Sequence, residues 1–129
     1  MVGRDPERVL VRVVIVGCRP DVRRGLQIRL ALEGDVRVTG SAPCVESALP
    51  ALRGQHAEVL LVDLDGCPAL SDGLLRRARS AAPGLRVVLL THHREDCAIA
   101  YLGADDVIDK DADAGPLLAS IRGGAQGFV

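Results

Sequence analysis

Short apolar runs rich in β-branched residues alternate along this chain with segments of helical period, five times in succession. Val9–Val16, Val36–Thr39, Glu58–Val62, Leu85–Leu90 and Val107–Ile108 read as strands. Asp21–Glu33 carries Val22, Leu26 and Leu30 at helical spacing, and Gly34 follows as a stop. Ser41 is expected to cap a helix that enters through Pro43 and runs to Arg53, before Gly54. Pro50 lies inside that helix and removes a backbone bond, so a kink or a short second helix is expected. Asp72 caps a helix through Ser80, and His93–Leu102 forms a short one. Pro116 opens the last helix, through Arg122, capped by an aspartate such as Asp113.

Strands buried on both faces read as continuous apolar runs, as three of these do. Parallel strands joined by helices give a doubly wound sheet with right-handed crossovers. A ligand site in such a sheet lies at the carboxyl ends of the strands.

A chain of 129 residues fits one domain, and 48% hydrophobic residues give it a substantial core. With one Phe, one Tyr and no Trp it has no aromatic surface on which to stack bases. A net charge of −1 supplies no field for DNA phosphates. Apolar runs such as Val13–Val16 and Val59–Val62 are far shorter than the roughly 20 residues of a membrane span. The N-terminus carries Arg4, Asp5, Glu7 and Arg8 and reads as no signal peptide. A cytoplasmic location is therefore expected; Cys18, Cys44, Cys67 and Cys97 match no zinc spacing, and in that setting reduced thiols are expected. Cys44 and Cys97 fall on expected helices as small apolar fillers.

The strand ends define a candidate site. The first ends at Gly17 and Cys18, the third at Asp63, the fourth at Thr91 with His92 and His93 following, and Asp109 and Lys110 follow the fifth. A carboxylate, a hydroxyl and an ammonium at one edge can handle a phosphoryl group: Asp63 as nucleophile, Thr91 and Lys110 holding its oxygens. Each residue also fits a structural role, as turn cap, strand end or solvated charge. Lys110 is the one lysine beside 15 arginines. A solvated cation in this composition would more often be arginine, and arginine does not reproduce the compact charge of lysine.

Four segments carry a resemblance. Val11–Gly25 (VRVVIVGCRPDVRRG), Glu58–Leu64 (EVLLVDL), Leu85–Thr91 (LRVVLLT) and Gly103–Asp111 (GADDVIDKD) resemble, in this order, the motifs of response-regulator receiver domains, most of all the NarL/FixJ class. The resemblance covers about Val9 to Arg122. It implies an α/β, flavodoxin-like, doubly wound five-stranded parallel sheet of order 2-1-3-4-5, a receiver domain over residues 1–122, and the start of a linker over 123–129. It maps the phosphoacceptor to Asp63, the switch hydroxyl to Thr91 and the conserved lysine to Lys110.

The departures from the family pattern bear on mechanism. The family's two acids at the end of the first strand hold Mg²⁺; here Gly17 and Cys18 stand in their place. Glycine offers no side chain, and a thiol is a poor ligand for a hard cation. Mg²⁺ binding is therefore expected to be weak or lost, with no other cofactor. Asp65 and Asp21 are possible substitute carboxylates. Val107 stands at the family's aromatic switch position, and the loop LDGCPALSDG is two residues longer than usual. A soft-metal or redox site at Cys18 and Cys67 is less expected than bystander thiols.

The expected function is regulatory, not enzymatic: an atypical receiver controlling a transcription factor through a DNA-binding domain outside this chain, independent of ordinary aspartyl phosphorylation. A phosphorylatable receiver at Asp63 and a stand-alone adaptor are the alternatives. Expected partners are a second copy of the chain and a histidine kinase or small-molecule effector. Dimers would form through the first and last helices, or through the surface of the fourth helix, fifth strand and fifth helix.

Overall fold

The computed structural model describes residues 10–65, 72–92, 103–111 and 113–126. Strands β1 (Val11–Val16), β2 (Val36–Ala42), β3 (Val59–Asp63), β4 (Arg86–Thr91) and β5 (Asp106–Asp109) form one sheet. All are parallel, in the order β2-β1-β3-β4-β5. Helices α1 (Pro20–Ala31), α2 (Val45–Gly54), α3 (Asp72–Ala81) and α4 (Ala114–Gln126) complete the described elements. This is the flavodoxin-like order expected from the sequence. The expected helix over His93–Leu102, with Cys97, lies outside the described residues, as do Cys67 and most of the loop after Asp63.

Alternation along the strands divides the core. Val13, Ile15, Leu61, Val88 and Leu90 meet Leu30, Leu117 and Ile121 of α1 and α4. Val14, Val16, Leu60, Val62 and Leu89 meet Val45, Leu52 and Leu75 of α2 and α3. Each fully buried aliphatic side chain contributes roughly 1.5–3 kcal/mol relative to exposure. The central strands are buried on both faces for this reason, and every crossover returns the chain so that strand ends gather at one edge. Among the described residues no helix is long and apolar enough to cross a membrane.

Several local readings are corrected. Ser41 does not cap a helix. A bulge between the Val13–Val38 and Val14–Gly40 pairs lets β2 continue, and Ser41 pairs with Ile15. The N-cap of α2 is Cys44, which makes no side-chain cap bond. Cys44 is exposed rather than a core filler, and its thiol lies 3.2 Å from the Ser47 hydroxyl. Pro50 does not divide α2 into two helices. Val45, Ala48 and Leu52 keep the inner face buried through it, so packing outweighs the missing backbone bond. The last helix does not stop at Arg122 but runs through Gly123 and Gly124 to Gln126. It also starts at Ala114, two residues before the expected Pro116, while the aspartate cap is as expected: Asp113 accepts the Gly115 N–H at 3.0 Å.

Candidate functional site at the carboxyl edge of the sheet

Register brings the site together. Asp63 pairs with Leu90 and Thr91 with Asp109, so the ends of β3, β4 and β5 lie side by side. The Leu64 N–H donates to the Leu90 carbonyl at 2.9 Å, and the Lys110 N–H to the Thr91 carbonyl at 3.1 Å. These bonds carry the ladder one residue past each strand and fix the backbone on which Asp65 and Lys110 stand.

Asp63 is buried, with 1% of its surface exposed. The Lys110 ammonium donates to both of its oxygens, at 2.9 Å and 3.0 Å. The same ammonium lies 3.4 Å from Asp65 Oδ2. The chain turns back just beyond β3, where the Asp65 N–H donates to Asp63 Oδ1 at 3.1 Å. That turn aims the Asp65 carboxylate across β4. It accepts the Thr91 hydroxyl at 2.9 Å on one oxygen and the His92 N–H at 2.9 Å on the other. Partial burial pushes the Asp65 carboxyl up. The His92 N–H, the Thr91 hydroxyl and Lys110 outweigh it and hold the group below the usual carboxylate range. Two carboxylates thus share one ammonium inside a ring of donors. The exposed His92 imidazole borders this ring, with Nε2 3.9 Å from Asp65 Oδ2 and Nδ1 3.1 Å from Asp111.

The end of β1 is built differently. Gly17 is buried against Asp63: a Cβ placed on it would stand 3.2 Å from Asp63 Cβ and 3.7 Å from Arg23 Cγ. The Arg23 guanidinium donates to the Gly17 carbonyl and, through Nε, to the Ser41 hydroxyl at 3.1 Å. A cation therefore crosses the end of this strand. Cys18 is half-buried and not in a disulfide. Asp21 lies on the exposed first turn of α1, 3.4 Å from Arg19.

The structure thus gathers Asp63, Thr91, Lys110 and Asp65, with Gly17 against Asp63. Sequence reasoning missed Arg23. Its signal was available, since Arg23 falls one turn past Pro20, on the helix that leaves β1. Beside Lys110, a cleft of about 220 Å³ opens between α1 and α4, walled by Val22, Leu26, Leu90, Ile108 and Leu117.

No protein-family model matches the chain. The nitrate/nitrite response regulator protein NarP of Escherichia coli (strain K12) is 30% identical over 125 residues, which are 95% of this chain. The chain spans 58% of the length of that relative. The signal receiver domain assigned to the response regulator NarL of Mycobacterium tuberculosis is 30% identical, with a TM-score of 0.72 over 89% of this chain and 98% of that one. RcsB from Salmonella enterica serovar Typhimurium, solved bound to promoter rprA in the presence of phosphomimetic BeF3-, has the same fold, with a TM-score of 0.72, 20% identity and coverage of 90% and 60%.

Proposed function

Because the chain belongs to the response-regulator receiver-domain family of two-component signalling, we propose that it acts as an atypical receiver that controls its output without ordinary aspartyl phosphorylation. The observation carrying this reading is the Lys110 ammonium seated across both oxygens of Asp63, the atoms that a phosphoacceptor must offer. The end of β1 supports it. A hard cation wants several oxygen ligands in near-octahedral geometry. Gly17, Cys18 and the Arg23 guanidinium supply no anionic oxygen there, so this donor set does not suit Mg²⁺. Of the substitute carboxylates, Asp65 is bound into the Thr91 and His92 donors and Asp21 lies against Arg19.

The output in this reading is a DNA-binding domain outside the chain, as DNA-bound RcsB suggests, and the setting is cytoplasmic. The protein is a signalling module rather than an enzyme. The cleft beside Lys110 is a place where a small effector can act on the site. Self-association through α1 is supported by Ile28 and Leu32, apolar side chains 62% and 73% exposed one turn apart.

The test is incubation with Mg²⁺ and acetyl phosphate, read by intact mass. The expected result is no phosphoryl gain by the wild-type chain and a measurable gain in Mg²⁺ affinity for Gly17→Asp with Cys18→Asp. Stoichiometric phosphorylation of wild-type Asp63 returns the chain to the ordinary phosphoacceptor class.

A further inference from the structure

The Thr91 hydroxyl has one proton to donate. It is given to Asp65 Oδ1 at 2.9 Å. The His92 N–H, the next donor along β4, goes to Asp65 Oδ2 at 2.9 Å. Lys110, held chiefly by Asp63, closes on the same oxygen at 3.4 Å. A hydroxyl, a backbone amide and an ammonium converging on two oxygens of one group make a site for an oxyanion. They are also the groups that would hold the oxygens of a phosphoryl carried by Asp63.

We propose that Thr91, His92 and Lys110 form an oxyanion site whose resident anion is the chain's own Asp65 carboxylate, so that the receiver stays in an occupied-site state with no phosphoryl group. The proposal rests on the receiver reading and adds the means of its regulation. The geometry explains how a side chain reaches the site. Asp65 follows the phosphoacceptor position by two residues, and its N–H folds back onto Asp63 Oδ1. The turn delivers the carboxylate over β4. It also sets up a competition. A phosphoryl on Asp63 would need the Thr91 proton and Lys110; the first is already given to a group tethered two residues away, and the second is shared between that group and Asp63. An external oxyanion gains access only when the Asp65 carboxylate leaves.

The test uses the full chain and orthophosphate as probe, with the backbone amides of Thr91, His92 and Lys110 followed by ¹⁵N-resolved NMR. Asp65→Ala is expected to show saturable shifts at these amides, with apparent affinity about tenfold tighter than wild type, the change that 1.4 kcal/mol produces. Adding Lys110→Met is expected to remove the shifts. Asp65→Asn keeps the volume and serves if Asp65→Ala loses its native amide dispersion; it too is expected to bind phosphate more tightly than wild type. Wild type binding as tightly as the variants overturns the proposal, because Asp65 then does not fill the site. Absence of binding in every variant that retains the fold overturns it as well, because the donors are then no oxyanion site. The phosphorylation test is read separately. A phosphoryl on wild-type Asp63 ends the functional reading, while unphosphorylated wild type with unchanged phosphate affinity ends only this inference.

Discussion

Lys110 sits astride the carboxylate of Asp63, 2.9 Å from one oxygen and 3.0 Å from the other. The lysine side chain is 15% exposed and the aspartate 1%. Neither charge is well solvated, and each is compensated by the other. Removing one partner of such a pair costs about 3–5 kcal/mol, since the survivor stays buried and uncompensated. Lys110→Met is therefore expected to lower stability by about 3 kcal/mol. Lys110→Met with Asp63→Asn is expected to recover much of that loss. Urea unfolding of the wild type, both single variants and the double variant checks the coupling.

Two glycines are expected to respond in opposite senses. A Cβ on Gly40 would stand 2.9 Å from Ala51 Cβ, where α2 packs on β2. Gly40→Ala is expected to destabilise by about 1–3 kcal/mol. Gly25 lies inside α1 with nothing within 4 Å of an added Cβ. Gly25→Ala is expected to stabilise by about 0.5–1 kcal/mol. Thermal melts of the two variants decide both.

Acid should weaken the anchorage of α4. Arg122 donates to Asp35 at 2.8 Å and to Glu33 at 2.7 Å, and Arg29 donates to Glu33 at 2.8 Å. The Arg29 guanidinium, then that of Arg122, holds the Glu33 carboxyl below the usual range. A carboxyl with a depressed folded pKa stabilises above its unfolded pKa and loses that effect as pH falls through the folded value. Wild-type Tm is expected to drop more steeply than that of Glu33→Gln below about pH 5. Parallel curves would contradict the assignment.

Cys44 is expected to be the more reactive of the two described thiols. It is exposed at the start of α2, and the Ser47 hydroxyl beside it draws its pKa down. Cys18 is half-buried. Limited iodoacetamide labelling followed by peptide mapping should mark Cys44 before Cys18. Ser47→Ala should slow the reaction.

The sheet was legible in the sequence because burial on both faces writes itself as uninterrupted runs such as LLV and VVLL, and helical spacing between them leaves one class of topology. The same reading put Asp63, Thr91 and Lys110 at one edge, since strand ends follow from strand runs. It did not reveal what Asp65 touches. Residue 65 and residue 91 meet only after parallel pairing and a turn beyond β3, and neither leaves a local pattern. Ser41 was misread because a serine before a periodic segment looks like a cap, while the bulge that carries β2 past it has no signature in composition. Helix α4 outran its expected end because Gly123 and Gly124 lower helix propensity by only about 1 kcal/mol each, within what the packed face of the helix can offset.

The contact between Thr91 and Asp65 has a consequence in time. A phosphoryl group on an aspartate is an acyl phosphate, and water removes it; a switch made that way carries its own clock. The Asp65 carboxylate is part of the polypeptide and nothing hydrolyses it. A state held by that carboxylate does not expire. Its duration is set by whatever competes for Thr91 and Lys110, or by how long the chain itself survives in the cell.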